Sequence, residues 1–349
     1  MTDEAANVDG VSLLDGDRQV LIHAFDLGAI HRTAHLAEGL MNRNWLIDTD
    51  AGRFVLKQVL DVPFATARRN LAVLARLDAD GIPACPAVPS AEEELVVGIG
   101  DRGYSLFPWV EGTHRHGTTL DAERATELGA LLGRIHRALN EANVAAALPA
   151  KPDSVGAAAE SPWDAVAEAD RLLGVVAALP EPSAFDRRVV ELLEQRKVLI
   201  EKYAVSRPGD DLPLGPFGWV HGDFQHLNVL WGDEGVVAVL DWDRIRVKPF
   251  GEEVARSATL LFGRESGELD LERVAAFVAG YRSVVPIGVA ELADAVERLW
   301  WKRMCDFWQL VFHYDRANHT TDHLFFSATD FLHWWTAHRD EVQAAFAGV

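Results

Sequence analysis

Apolar positions follow a short, interrupted rhythm over the first hundred residues and a helical rhythm over most of the remainder. After a brief apolar run at Val20–Phe25, Trp45–Ile47 and Arg53–Val59 read as two strands joined by the turn Asp48–Gly52. Leu95–Gly98 and Tyr104–Phe107 read as two more, around Gly100–Gly103. Between these pairs Leu71, Leu74 and Leu77 mark one stripe of a helix over Arg68–Leu77, which Gly81–Pro86 ends. Downstream, Leu128, Leu131, Leu132, Ile135 and Leu139 share a helical face with His136 beside it. Helices are also predicted over Trp163–Leu179, Phe185–Ala204 and Leu271–Tyr281, and two long aromatic ones over Glu291–Tyr314 and His323–Phe346. Residues 1–18 read as a loose tail. Residues 140–162 and Ser206–Pro216 read as connections.

One stretch breaks the helical rhythm. Trp219–Arg244 reads as strand, sharp loop, strand, turn and strand, with Gly232–Gly235 as the turn and β-branched Val236, Val237 and Val239 after it. A hairpin gathers the residues at its open end. Asp223 and Asn228 precede its first strand, and Asp241 follows its second, so the three are expected to converge. An Asn and an Asp beside a second Asp supply hard oxygen ligands suited to Mg²⁺. The remaining carboxylate, Asp223, can take a hydroxyl proton. Phosphoryl transfer needs that pairing, because positioning and charge neutralisation do most of its work.

The spacing H-G-D-x-x-x-x-N from His221 to Asn228, followed by L-D-W-D at Leu240–Asp243, resembles the aminoglycoside phosphotransferase and choline kinase family. These are small-molecule relatives of protein kinases. The resemblance implies an α+β, bilobal, protein-kinase-like fold. Residues 1–108 would form a small antiparallel-sheet nucleotide-binding lobe, and residues 109–349 a mainly helical catalytic and acceptor-binding lobe. Asp223 would be the catalytic base, Asn228 and Asp241 would hold Mg²⁺, and His221 would brace the loop. Asp243 would be a further metal ligand, a substrate contact or neither. The Gly-bearing turn Glu38–Asn44 and the strand ending Phe54-Val55-Leu56-Lys57 resemble the family's nucleotide-covering hairpin. Gly39 and Asn42 would then lie at the nucleotide, and Lys57 would reach its phosphates. Phe107, Trp109 and Val110 fall in a run that resembles the inter-lobe linker, whose backbone grips the base. The helix after this hairpin usually carries a glutamate for the lysine. Asn70 occupies the matching position here, which leaves Asn70 or one of Asp61, Asp78 and Asp80 as the expected partner of Lys57.

Composition narrows the classes. The chain has 349 residues, 49% of them apolar, enough for a folded core and too many for a disordered chain. Its net charge of −20 argues against nucleic acid as a partner. It contains no run of eighteen apolar residues, so no membrane span is expected. Met1–Asp9 lacks the basic start and apolar core of a secretory leader. Two distant cysteines, Cys85 and Cys305, fit a disulfide-free cytoplasmic protein. The expected substrates are ATP or GTP with Mg²⁺ and a small-molecule alcohol, with the protein a monomer or homodimer. Acidic balance and C-terminal aromatics point first to an antibiotic (aminoglycoside-like) or amino-sugar hydroxyl. A choline or homoserine kinase is the metabolic alternative. A nucleotide-binding pseudokinase acting as an interaction module is the alternative of another class. Asp306, Gln309, His313, Tyr314, Asp315, His319 and Asp322 lie among the C-terminal aromatics, where the resemblance implies part of the acceptor pocket, without an assigned role.

Overall fold

The computed structural model describes residues 13–36, 41–156, 158–210 and 215–348, so Gly39 lies outside the described residues. In chain order the elements are α1 (Asp15–Ala24), β1 (Ile30–Leu36), β2 (Arg43–Thr49), β3 (Gly52–Gln58), α2 (Phe64–Leu71), α3 (Leu74–Ala79), β4 (Val97–Ile99), β5 (Arg102–Pro108), α4 (Ala122–Asn140), α5 (Ala142–Ala145), α6 (Pro162–Ala177) and α7 (Ala184–Tyr203). They continue with β6 (Phe217–Val220), β7 (Val229–Trp231), β8 (Val236–Val239), β9 (Arg246–Pro249), α8 (Phe250–Phe262), α9 (Leu271–Arg282), α10 (Val289–Cys305), α11 (Trp308–Arg316), α12 (Asp322–Ala337) and α13 (Arg339–Ala347). Two compact units result. One comprises Met1–Thr113, Ala142–Pro149 and Val229–Ile245, and the other His114–Glu141, Ala150–Asn228 and Arg246–Val349.

The first unit is built on a five-stranded antiparallel sheet of order β1-β2-β3-β5-β4. Side chains alternate between the faces of a strand. Trp45 and Ile47 of β2, Leu56 of β3, and Tyr104 and Leu106 of β5 therefore pack in one cluster with Leu21, Phe25 and Leu27. Lys57 follows Leu56, is buried as well, and by the same alternation leaves the opposite face. The hairpin of β7 and β8 pairs Val229 with Val239 and Leu230 with Ala238. It is attached at both strands: Thr113 bridges Trp231, and the Val239 amide donates to the Pro83 carbonyl.

Residues 15–18, expected in a tail, begin a helix. The cause is a buried carboxylate. Asp17 accepts from Arg102 Nε at 2.6 Å and Nη2 at 2.8 Å, and from Tyr104 Oη at 2.5 Å. Arg102, with a contribution from Tyr104, holds its carboxyl below the usual range against the opposing effect of burial. β1 was missed because only Ile30 of its seven residues is buried, which leaves no alternation to read. The two long C-terminal helices are each broken. Asp306 and Phe307 separate α10 from α11, and His338 separates α12 from α13. The helix expected over Arg68–Leu77 is likewise split into α2 and α3.

The second unit is mainly helical, with β6 and β9 paired antiparallel. Its tightest crossing lies between α4 and α9. A Cβ on Gly129 would sit 1.9 Å from the Phe277 carbonyl oxygen, and one on Gly280 would sit 1.9 Å from the Thr126 carbonyl oxygen. The two backbones touch through these glycines, and that approach brings His136 of α4 to Tyr281 of α9. Gly280→Ala is expected to cost about 1–3 kcal/mol through overpacking. Gly174→Ala, in open space on α6, should instead stabilise by roughly 0.5–1 kcal/mol. Urea denaturation of the two variants checks the contrast.

Candidate active site

In the first unit Lys57 is the centre of a charged cluster. Its Nζ lies 2.6 Å from Asp241 Oδ1 and 2.7 Å from Asp243 Oδ2. None of the partners expected from sequence is the one found. Asp61 instead pairs with Arg244 at 2.7 Å. Asn70, fully buried, donates through Nδ2 to the Asp243 carbonyl at 2.5 Å. Burial works against a charged Lys57, but the charges of Asp241 and Asp243 hold its pKa above the ordinary lysine value. Two carboxylates share this one ammonium. Asp243 carries the cost: burial pushes its carboxyl up, Lys57 opposes, and the Asp241 charge adds to the rise.

Asp241 is the more exposed of the pair, with 38% of its side chain open against 3% for Asp243. Its backbone is left-handed (φ 58°, ψ 61°), an uncommon state for a residue with a Cβ. Aspartate tolerates that state better than most residues. Asn42 secures the cluster from the side. Its Nδ2 donates to Asp243 Oδ2 at 3.0 Å, and its Oδ1 accepts from the Leu60 and Asp61 amides. Further along, Phe107 is half-buried on β5 opposite Val55, and Trp109 donates to Glu111 at 2.8 Å. The Val110 amide and carbonyl make no hydrogen bond among the described residues.

In the second unit a buried carboxylate shapes the His221-Gly222-Asp223 turn. Glu253, in the first turn of α8, accepts from the backbone amides of His221 and Gly222. It also faces His136 Nε2 at 2.7 Å, while His136 Nδ1 meets the Tyr281 hydroxyl at 2.8 Å. Gly222 takes φ +86°, a left-handed conformation that disfavours other residues. Burial pushes the Glu253 carboxyl up, but His136, His221 and the Gly222 amide together hold it below its ordinary value. His221 is fully buried, and its Nδ1 accepts from the Asp223 amide at 3.2 Å.

Asp223 is held at both oxygens. Arg256 Nη2 reaches Oδ1 at 2.7 Å, and Asn228 Nδ2 reaches Oδ2 at 3.2 Å and the Asp223 carbonyl at 2.8 Å. With its nitrogen so engaged, the Asn228 side-chain oxygen accepts no hydrogen bond among the described residues. Asn228 thus presents an oxygen atom, the donor type that Mg²⁺ prefers. Arg303, close enough for its charge to oppose that of Arg256, is pushed down to about 10, chiefly by burial.

Sequence reasoning missed Glu253 and Arg256. Both sit where a helix start normally attracts acids or tolerates a surface base, so neither stands out. Their i, i+3 spacing on one face of α8, just beyond the D-W-D run, is the signal that could have found them.

The fold is that of protein-kinase-like phosphotransferases, α+β with a five-stranded antiparallel sheet in one unit and mostly helices in the other. The chain belongs to the phosphotransferase enzyme family (APH), whose profile matches residues 33–287. Homoserine kinase of Pseudomonas aeruginosa is 28% identical over 120 residues, 34% of this chain, and that match spans 37% of the relative's length. Homoserine kinase of a Janthinobacterium species is 23% identical over 294 residues, 82% of this chain and 84% of the relative. The crystal structure of spectinomycin phosphotransferase APH(9)-Ia with ADP and spectinomycin superposes with a TM-score of 0.58 at 16% identity, covering 95% of this chain and 96% of that one. Among the described residues no helix is long and apolar enough to cross a membrane.

The Glu253 carboxyl titrates lower in the folded chain than its unfolded value of about 4.3. Its contribution to stability is therefore complete above about pH 4.3 and is lost as pH falls through the lower folded value. Glu253→Gln should cost about 1–3 kcal/mol at pH 7. Urea midpoints measured against pH should show that gap narrowing below about pH 4.3.

Proposed function

We propose that the chain transfers the γ-phosphoryl group of ATP or GTP to a hydroxyl of a small molecule. The observation that carries this reading is the fixing of Asp223 by Arg256 and Asn228 on a turn gripped by Glu253. A carboxylate held at both oxygens by cationic and amide donors keeps one orientation and retains lone pairs for an incoming hydroxyl. In the reaction the acceptor hydroxyl gives its proton to Asp223. Its oxygen bonds to the γ-phosphorus, and the bond from that phosphorus to the bridging oxygen of the nucleoside diphosphate breaks. Lys57 steadies the phosphates, and His221 keeps the turn in place. Asn228 and Asp241 are the residues that would hold Mg²⁺, which when bound neutralises phosphate charge. Asp243 and Asn42 support this chemistry by fixing Lys57 and its surroundings. The nucleotide base is received by the backbone at Phe107–Val110, where the amide and carbonyl of Val110 are uncommitted among the described residues.

The acceptor we favour is a small amine-bearing alcohol, the class that takes in amino sugars, aminoglycoside-like antibiotics and hydroxy amino acids. An acidic chain of net charge −20 supports an amine-bearing partner. Within that class a homoserine-type acceptor has a specific observation in its favour. Homoserine kinases are among the curated relatives, one aligned over 82% of this chain. An amino-sugar or antibiotic acceptor has the spectinomycin phosphotransferase fold match on its side.

The test is turnover with Mg-ATP over a panel containing homoserine, choline, amino sugars and spectinomycin, followed by the best acceptor with Asp223→Asn. Loss of the base should lower kcat by about 10²–10⁴ with little change in nucleotide affinity. Near-native kcat in Asp223→Asn removes the base assignment. A nucleotide-induced thermal shift without turnover on any alcohol replaces the kinase reading with that of an interaction module.

A further inference from the structure

The second unit carries a cluster to which the proposed phosphoryl transfer assigns no role. His313 lies on α11, Asp322 in the first turn of α12, and His319 in the connection between them. His313 Nδ1 lies 2.9 Å from both Asp322 oxygens and 3.0 Å from His319 Nδ1. The third side of this triangle, His319 Nδ1 to Asp322 Oδ2, is 3.4 Å.

Hydrogen bonding accounts poorly for that geometry. An imidazole Nδ1 either carries a proton or offers a lone pair. A proton on His313 Nδ1 would be divided among three acceptor atoms. The His319 and Asp322 lone pairs would then confront each other with nothing between them. A proton on both imidazole nitrogens would bring two N–H groups together at 3.0 Å. A cation at the centre receives all three lone pairs at once.

The spacing fits a particular cation. Nitrogen and oxygen ligands about 2.0–2.1 Å from a tetrahedral ion stand roughly 3.3–3.4 Å apart. The observed edges of 2.9, 3.0 and 3.4 Å approach one face of such a tetrahedron. Two imidazoles and one carboxylate suit Zn²⁺ and not Mg²⁺, which takes an all-oxygen shell. The cluster is also held in place. Phe185 stacks on the His313 ring at 4.5 Å and 19°, and His313 and Asp322 are only 15% and 22% exposed in their side chains. His313 and His319 line a cavity of about 570 Å³ together with Asp186 and Tyr314. Tyr314 donates to Asp186 at 2.7 Å.

We propose that His313, His319 and Asp322 form a Zn²⁺ site with three protein ligands, which ties the end of α11 to the start of α12 and leaves its fourth position to water. No residue is shared with the phosphotransfer machinery, so this inference stands or falls separately from the kinase reading.

The experiment uses the full chain, stripped with a chelator and titrated with Zn²⁺ against a chromophoric competitor in excess Mg²⁺. Co²⁺ serves as a spectroscopic substitute. One Zn²⁺ per chain, an upward shift of the unfolding midpoint and the visible bands of low-coordinate Co²⁺ are expected. His319 is 63% exposed, so His319→Ala should leave the metal-free midpoint unchanged. It should weaken Zn²⁺ binding by at least the ~10–100-fold that loss of an outer-shell partner typically costs. Asp322→Asn should weaken it similarly. No stoichiometric Zn²⁺ binding, or binding unchanged by either substitution, overturns the site.

Discussion

A lysine ammonium taken out of water must be matched by negative charge, and this requirement organises the first unit. Lys57 is 7% exposed and has two carboxylates within 2.7 Å. Leaving such a charge unpaired would cost several kcal/mol. Asp241 and Asp243 must therefore be brought to it by the chain that leaves the β7–β8 hairpin. That fixes the hairpin's exit, the left-handed backbone of Asp241 and the hydrogen bonds from Asn42 and Asn70 to Asp243. The cluster carries one positive and two negative groups. Its surplus of negative charge, with Asp241 as the exposed member, suits a divalent cation.

The second unit solves the same problem with the sign reversed. Glu253 is 4% exposed and carries its charge among His136 and two backbone amides. Because those amides belong to the turn before Asp223, satisfying a buried carboxylate also aims the proposed base. The α4–α9 crossing through Gly129 and Gly280 enters the same chain of dependence, since it sets Tyr281 against His136.

Much of this was readable in sequence where local pattern and chemistry coincide. The strands around Trp45, Leu56 and Leu106 follow from alternation, and the β7–β8 hairpin from its turn residues and β-branched run. The H-G-D-x-x-x-x-N spacing pointed to the phosphotransferase family that the profile match then established. What escaped depends on distant partners. Asp17 looked like tail because Arg102, 85 residues away, is what buries it. Asn70 stood among the expected partners of Lys57, yet it serves the Asp243 carbonyl. Glu253 looked like an ordinary acid at a helix start, and only its i, i+3 spacing from Arg256 sets it apart, while its partner Gly222 lies 31 residues away. The breaks at Asp306 and His338 fall inside aromatic stripes whose periodicity runs on across them.

The proposal that matters most is that Asp241, the exposed carboxylate beside Lys57, helps to hold a divalent cation with a nucleotide. Calorimetric titration of ATP into the protein with Mg²⁺ and with EDTA tests it most directly, using the wild type and Asp241→Asn. The account predicts that Mg²⁺ tightens ATP binding by the wild type and that Asp241→Asn loses most of this enhancement while staying folded. An enhancement of equal size in the two proteins would contradict it.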